Sequence, residues 1–223
     1  DVIIHCASFT NAEDSFNIKK EMFRNNLNCM KNVISFCKKN KSKLIHLSST
    51  SVYGKKAKLV KEEDKHLLKP QSPYAEIKIK EEYLLNKNKK NLKYISFRFG
   101  TITGVSEGIR FHTAVNKFCL NAATNEYIKI YKTAYNQYRP YLSLRDAFKI
   151  FQFCIEKNIF NNEVFNALSG NFTVKQILNK IRKNKKKIKI KFINSPIMNK
   201  LSYYVDVSKI ENLGLRLKSN IEY

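Results

Sequence analysis

Tyr74 and Lys78 lie four residues apart in the segment SPYAEIKIKEEYLL, and Ser49 precedes Tyr74 by 25 residues in the segment LIHLSSTSVYG. Four residues make about one helical turn, so the phenol and the ammonium lie on one face of a helix. A serine hydroxyl, a phenol and an ammonium held together can move a proton while a carbinol is oxidised or a ketone is reduced. Ser49, Tyr74 and Lys78 are therefore the candidate catalytic residues.

This chemistry needs electrostatic help. A free phenol has a pKa near 10, and lowering it by about three units for work near pH 7 corresponds to about 4 kcal/mol. The Lys78 ammonium would supply the positive charge, and Ser49 would hydrogen-bond the same substrate hydroxyl. Two simpler interpretations stay open, in which Ser49 merely ends a strand and Lys78 is an exposed helix lysine.

Context separates this pair from a second one. Tyr83 and Lys87 have the same spacing, but Tyr74 follows Pro73 and so opens a helix, where proline is tolerated. Tyr83 falls two turns deeper in the same helix, where we expect it to pack against a sheet. The spacing alone is a weak signal in a chain with 12 Tyr and 42 Lys and Arg residues.

The elements that must position these residues alternate along the chain, which predicts an α/β sheet. Strands are predicted at 2–6, 44–48, 93–98, 127–131, 162–168 and 188–193. Helices are predicted over 15–39, 73–86, 111–124, 147–157 and 174–183, the last two with Asp146 and Thr173 as N-caps. Ligands bind beyond the carboxyl ends of strands in such sheets, and Ser49 would lie at one of these ends.

Several segments resemble, in order, the extended short-chain dehydrogenase/reductases, the group of nucleotide-sugar epimerases and dehydratases. They are DVIIHCAS, FRNNLNCMKNVISFC, LSSTSVYG with YAEIK, RFGTITG, QYRPYLSLRDAFK and YYVDVSKIENLGLRL. The resemblance implies a Rossmann-type, doubly wound parallel sheet with a small C-terminal substrate-binding lobe. We place these parts at 1–104 and 105–223, with some segments of the second part returning to the sheet.

The resemblance also implies which residues meet the ligands. Cofactor contacts are predicted for Cys6, Ala7, Ser8, Asn26, Leu47, Ser48, Tyr74, Lys78, Phe99 and Gly100. Substrate contacts are predicted for Thr50, Ser51, Thr101, Arg110, His112, Asn116 and Arg139. Arg139 is the expected diphosphate anchor, because a guanidinium binds phosphate with two hydrogen bonds. Thr101 stands where the family often has Asn.

The two residues after Ser49 bear on the reaction. Family dehydratases carry Asp-Glu at these positions and decarboxylases carry a Glu, whereas this chain has Thr50 and Ser51. We therefore expect oxidation and re-reduction of a sugar carbinol, at C4 of a UDP-sugar, with hydride passing to and from NAD. An NADPH-dependent keto-sugar nucleotide reductase and a non-catalytic basic binding module or degenerate fragment remain alternatives.

The glycine-rich turn that binds a dinucleotide pyrophosphate is not found. The chain has six glycines and no G-x-x-G-x-x-G, although the cradle needs these glycines and a helix N-terminus. We expect a fragment that lacks roughly 60–75 residues, two to three βα units of about 30 residues each. The choice between NAD and NADP, and cofactor binding by this chain alone, depend on that segment.

Composition and charge limit the kinds of ligand and cofactor that we expect. The net charge is +24 and the sequence pI is about 9.8, but the lysine clusters fall near predicted helix ends, as on a solvated surface. We expect no specific nucleic-acid site, only a potential that steers an anionic nucleotide sugar. Five scattered Cys and four His without ligand spacing predict no disulfide framework and no metal, in a reducing cytoplasm.

Two further expectations concern partners. No apolar run reaches the ~18 residues of a membrane span, so no membrane association is predicted. The resemblance implies a homodimer formed through the two long helices, 15–39 and 73–86.

Overall fold

The computed structural model describes residues 1–12, 14–54, 59–194 and 203–217. The strands are β1 (Val2–His5), β2 (Lys43–Ser49), β3 (Leu59–Val60), β4 (Tyr94–Phe99), β5 (Thr101–Thr103), β6 (Tyr127–Tyr131), β7 (Tyr138–Ser143), β8 (Val164–Ala167), β9 (Gly170–Thr173), β10 (Lys189–Ile193) and β11 (Tyr204–Val205). The helices are α1 (Lys19–Asn40), α2 (Pro73–Asn88), α3 (Ala114–Ala123), α4 (Leu144–Glu156), α5 (Val174–Asn184) and α6 (Ser208–Glu211). The predicted α/β class is confirmed.

The main sheet has the order β1-β2-β4-β8, and every neighbouring pair is parallel. Helices α1 and α2 cover one face through a cluster that includes Met30, Leu44 and Leu85. Helices α4 and α6 cover the other face through a cluster that includes Ile150 and Ile210. Helices on both faces of a parallel sheet are the doubly wound arrangement that the sequence predicts.

Strand β2 shows how the sheet divides its side chains. Successive side chains of a strand point to opposite faces. Leu44 accordingly packs with α1 and α2, whereas Ile45 packs with α4. His46 shares a face with Leu44, and its ring reaches Glu81 of α2.

A second group of strands lies outside the main sheet. Strand β7 is central in the order β5-β7-β9, parallel to β5 and antiparallel to β9. Strands β6 and β10 form a parallel pair that packs with α3 and α5. Strand β7 is absent from the predicted strands; its segment YRPYLS contains Pro140, and proline cannot donate a ladder hydrogen bond. The end of the predicted lobe, residues 218–223, lies outside the described residues.

Three local predictions are corrected. Asp146 is not an N-cap: Ser143 caps α4 by accepting a hydrogen bond from the Asp146 backbone N–H at 3.1 Å. Tyr83 does not pack against the sheet, since it is 65% exposed on the outer face of α2. Phe16 lies in a 3-10 turn before α1 rather than in the helix. By contrast, Thr173 caps α5 as predicted, and the structure adds that it forms a full capping box with Gln176.

Over the residues that the structure describes, no helix is both long enough and apolar enough to cross a membrane.

Candidate active site

Helix α2 presents Tyr74 and Lys78. Ser72 caps the helix by accepting a hydrogen bond from the Ala75 N–H at 3.2 Å, and Pro73 is its first residue. Tyr74 therefore lies in the first turn, and Lys78 lies one turn later. The Lys78 Nζ atom is 5.8 Å from the centre of the Tyr74 ring, within cation–π range.

Lys78 is only 3% exposed, so the alternative of an exposed helix lysine is wrong. Its Nζ atom is 2.8 Å from Glu81 Oε2. Burial acts to lower the pKa of Lys78, but Tyr74, Glu81 and Glu82 act together in the other direction and the pKa is raised above its ordinary value. The side chain is therefore a buried, charged ammonium next to the phenol.

Ser49 is the last residue of β2, at the carboxyl edge of the sheet. Its Oγ atom accepts hydrogen bonds from the Ser51 N–H at 3.2 Å and the Ser51 hydroxyl at 2.9 Å. Both bonds use its acceptor capacity, which leaves its own O–H available to donate. The turn Thr50–Val52 packs against α2, which brings Ser49 and Tyr74 onto neighbouring elements, although no hydrogen bond joins these two described residues.

Two other predicted contacts at this edge have hydroxyls already in use. Thr50 is buried, and its Oγ1 atom donates to the Phe99 carbonyl at 3.2 Å. Ser48 is buried and donates to Glu82 Oε1 at 2.6 Å. The structure therefore does not present the Thr50 side chain to a substrate, and a cofactor contact at Ser48 would have to use its backbone.

The loop after β1 is held by α1. Asn26 is fully buried; its Oδ1 atom accepts from the Phe9 N–H and its Nδ2 atom donates to the Phe9 carbonyl, each at 2.9 Å. Both ends of the Asn26 amide therefore hold this loop in place, and the predicted contact of Asn26 with a cofactor stays a prediction. Cys6 and Ala7 of this loop are exposed, and Ser8 donates to the Phe9 carbonyl at 3.4 Å.

Three of the predicted cofactor residues have roles in packing. Phe99 is buried in the apolar cluster under α4, and Leu47 packs against the same cluster. A Cβ atom on Gly100 would lie 2.9 Å from the carbonyl carbon and oxygen of Pro140, so glycine is needed where β4 passes β7. Any ligand contact at Phe99 or Gly100 would therefore come from the backbone.

On the substrate side, Thr101 and His112 are exposed. Arg110 is exposed and donates to the Thr10 hydroxyl of the loop after β1. Asn116 is buried, with its Oδ1 atom 3.3 Å from the Gly104 N–H and its Nδ2 atom 3.2 Å from the Arg110 carbonyl. Asn116 thus ties the loop that carries Arg110 and is not itself presented to a ligand.

Arg139 on β7 is half-buried and donates to Gln137 Oε1 at 3.3 Å. Within the described residues, no carboxylate lies at salt-bridge distance from it. Burial lowers the pKa of Arg139, and neighbouring Tyr203 and Tyr141 partly offset this effect. A guanidinium without a counter-charge suits an anionic ligand.

Sequence reasoning missed a buried polar layer between α2 and the sheet. His46, Glu81 and Ser96 form one hydrogen-bonded group. Glu82 binds Arg98 with two bonds, at 2.9 and 2.7 Å. The segment KLIHLSS held a signal, because two polar side chains, His46 and Ser48, alternate within an otherwise apolar strand. Among the described residues, no group of three or more His, Cys, Asp and Glu side chains could hold a metal ion.

Comparison with known proteins identifies a family and relatives that this chain resembles. A model of the NAD dependent epimerase/dehydratase family matches residues 1–167. The ADP-L-glycero-D-manno-heptose-6-epimerase of Brachyspira hyodysenteriae is 29% identical over 158 residues, which cover 68% of this chain and 49% of that protein. The chain thus spans about half the length of this relative. The uncharacterized protein MJ1055 of Methanocaldococcus jannaschii is 30% identical over 229 aligned positions, which cover 100% of this chain and 69% of that protein.

A solved structure with a similar fold gives a consistent result. The UDP-glucuronic acid 4-epimerase from Bacillus cereus, in complex with UDP-glucuronic acid and NAD, is 26% identical with a TM-score of 0.85. The match covers 100% of this chain and 71% of that one. Because the family model spans well over half of the chain, and the fold and the order of the motifs agree with it, the chain belongs to the NAD-dependent epimerase/dehydratase family.

Proposed function

We propose that the chain acts in an NAD-dependent nucleotide-sugar 4-epimerase, which oxidises and re-reduces C4 of a UDP-sugar. The observation that carries the proposal is the buried, charged Lys78 ammonium 5.8 Å from the Tyr74 ring, at the start of a helix beside the carboxyl edge of a parallel sheet. A cation held at this place suits a neighbouring phenol that exchanges a proton with a substrate hydroxyl.

The residues divide the work. Tyr74 as phenolate takes the proton of the sugar hydroxyl and returns it after the ketone has been reduced. Ser49 keeps a free O–H, so it donates a hydrogen bond to the same sugar oxygen as charge develops there. Lys78 stays protonated throughout and stabilises the phenolate. NAD, when bound, supplies the hydride acceptor and donor.

Thr50 and Ser51 support epimerisation over dehydration. Elimination of water needs a general acid and a general base near the sugar. The two positions after Ser49 carry hydroxyls, and both hydroxyls are engaged, by Phe99 and by Ser49. No carboxyl at these positions can therefore serve the elimination.

The described residues fit part of a bound NAD. Tyr74 and Lys78 suit the nicotinamide and its ribose. Cys6 and Ala7 are exposed at the carboxyl end of β1, in the loop whose Phe9 backbone Asn26 binds, and they offer a surface to the cofactor. The glycine cradle for the pyrophosphate has no counterpart in this sequence, so these residues account for only part of the cofactor site.

A nucleotide diphosphate suits the substrate side. Arg139 is half-buried and has no carboxylate partner among the described residues, and a diphosphate would supply the missing negative charge. The Bacillus cereus epimerase, bound to a UDP-sugar and NAD, supports this assignment. The homodimer stays a prediction: α1 and α2 expose Phe36 and Tyr83, which an apolar contact between two copies would bury.

The test is Tyr74→Phe in the full chain, with Tyr83→Phe as the matched control. The control removes a phenol hydroxyl that has the same spacing to a lysine on the same helix, but is 65% exposed. The variants are incubated with NAD and UDP-glucose, UDP-N-acetylglucosamine or UDP-glucuronic acid, and C4 inversion is followed by proton NMR. We expect Tyr74→Phe to lower kcat about 10²- to 10⁴-fold and the control to match the wild type.

Three outcomes contradict the proposal. Activity of Tyr74→Phe within about threefold of the control would show that this phenol is not the base. Net consumption of NADPH with a keto-sugar nucleotide, without C4 inversion, would establish the reductase alternative. A folded wild-type chain that binds neither NAD nor any UDP-sugar by calorimetry would favour the alternative of a non-catalytic module or degenerate fragment.

A further inference from the structure

Lys78 is held by a buried network of hydrogen bonds. Its Nζ atom is 2.8 Å from Glu81 Oε2, and His46 Nε2 is 2.9 Å from the same oxygen. His46 Nδ1 is in turn 2.8 Å from Ser96 Oγ. Glu81, His46 and Ser96 are all 0% exposed, so this hydrogen-bond network is shielded from solvent.

Strand pairing in the main sheet fixes the positions of the residues in this hydrogen-bond network. His46 of β2 is paired in register with Ser96 of β4, and on its other side with His5 of β1. The carboxylate of Glu81 can only accept hydrogen bonds, so the proton between it and the ring lies on His46 Nε2. The backbone ladder and the ring thus define where the Glu81 oxygen lies, and Glu81 defines where the Lys78 ammonium lies.

Stability does not explain this arrangement. Both partners of Glu81 use Oε2, and Oε1 has no hydrogen-bond partner within the described residues. A buried carboxylate with one oxygen unpaired carries a desolvation penalty. Buried ion pairs are often no more stable than apolar side chains of the same volume. The group instead ends at Lys78, whose Nζ atom lies 5.8 Å from the centre of the Tyr74 ring, which points to a role in the chemistry.

We propose that Glu81 is a positioning residue that holds the Lys78 ammonium beside Tyr74, and that His46, backed by Ser96, holds Glu81. This inference rests on the proposed function, since it assigns the catalytic work to Tyr74 and Lys78. The charged or titratable groups that face the pair are His5 from β1, His46 from β2, and Tyr74 and Glu82 from α2.

The first experiment compares Glu81→Gln with Glu76→Gln. Glu76 is a partly exposed carboxylate of the same helix, 3.5 Å from Lys19, and its loss leaves Lys78 untouched. We expect Glu81→Gln to lower kcat about 10- to 100-fold relative to the control, with KM changed less than about threefold, because ground-state binding is unaffected. The alkaline limb of the pH–rate profile moves to lower pH, since burial then lowers the pKa of Lys78 without opposition from Glu81.

The second readout does not depend on activity. The chain has four histidines, so selective ¹⁵N-labelling of the imidazoles gives a simple spectrum in which His46→Gln identifies the His46 signals. The wild-type chain should show His46 protonated at Nε2. Glu81→Gln should shift this resonance, because its amide replaces an obligate acceptor, whereas Glu76→Gln should not. The exposed His66 and His112 serve as internal references.

The outcomes separate the two proposals. If the wild type is active, and Glu81→Gln matches Glu76→Gln in kcat and in the alkaline limb, the positioning role is overturned while the function stands. An unchanged His46 resonance in Glu81→Gln also overturns it. If Glu81→Gln does not fold, His46→Gln should lower kcat about two- to fivefold with the same direction of pH shift; no change overturns the inference. An inactive wild type overturns the proposed function and, with it, the catalytic part of this inference.

Discussion

The two faces of the main sheet are built differently from the same strands. Under α4, β4 contributes Phe97 and Phe99, whose rings stack 5.9 Å apart within an apolar cluster. Under α2, the alternate residue Ser96 binds the His46 ring and Arg98 binds Glu82. One strand therefore supplies an apolar wall on one side and a polar layer on the other.

This difference follows the position of the candidate site. Near the start of β2 and β4 the α2-facing side is still apolar, with Leu44 and Tyr94. It becomes polar only toward the carboxyl ends, at His46 and Ser48, where α2 presents Tyr74 and Lys78. Apolar burial is non-directional and tolerates small shifts, whereas hydrogen bonds fix atoms to within a few tenths of an ångström. We infer that the α4 face chiefly stabilises the sheet and the α2 face chiefly orients the site.

Phe97→Ala should produce the largest effect on stability. Phe97 is 0% exposed and packs against Phe99 and Phe165, and truncating a buried Phe costs about 3–5 kcal/mol. Urea unfolding at pH 6 and pH 8 should show the same loss at both, because the ring contacts of Phe97 are with the apolar Phe99 and Phe165. Phe36→Ala is the control, since Phe36 is 55% exposed; a similar loss there would contradict the assignment of stability to this face.

Arg98→Met should come next, at about 3 kcal/mol, because it leaves the largely buried Glu82 carboxylate without its cation. The double variant Arg98→Met/Glu82→Met removes both charges and should recover about 2 kcal/mol of this loss, with the remainder due to the unpaired Ser48 hydroxyl. Denaturant titration of the four members of this cycle gives the coupling. If the double variant is no more stable than the single one, the polar layer is itself a major source of stability and the contrast between the faces fails.

Local patterns predicted much of this architecture. Short apolar runs located strands of the main sheet, and the Pro73-Tyr74 pair located the start of α2. The capping box at Thr173 was readable because both of its hydrogen bonds join residues three positions apart. The pairing of Tyr74 with Lys78 was predictable for the same reason, since one helical turn separates them.

The rest depends on contacts distant in sequence. His46 lies 50 residues from Ser96 and 35 from Glu81, so only the register of the sheet and the docking of α2 bring them together. The Asp146 error has a local cause: Ser143 and Asp146 are both residue types that favour the N-cap position, and Ser143 is the one that caps α4. Thr50 was expected at the substrate, but its hydroxyl satisfies the buried Phe99 carbonyl instead.

The smallest expected effect is a pH dependence that belongs to the α2 face alone. His5 of β1 is 7% exposed and paired in register with His46. Burial lowers the pKa of His5 from 6.5, His46 and Lys78 lower it further, and Glu81 opposes them. The unfolded chain therefore binds this proton more tightly than the folded chain. The contribution of His5 to stability is complete above pH 6.5 and is lost as the pH falls through the folded-state pKa.

His5→Asn removes this titration, so its free energy of unfolding should fall less steeply than that of the wild type as the pH drops below 6.5. The measurement is urea unfolding in steps of half a pH unit, with His66→Asn as the control because His66 is exposed and should keep the wild-type slope. Phe97→Ala should also keep this slope, shifted to lower stability at every pH. If His5→Asn retains the full slope, or Phe97→Ala loses it, the pH dependence does not arise from the polar layer, and the two faces do not differ electrostatically in the way that their side chains indicate.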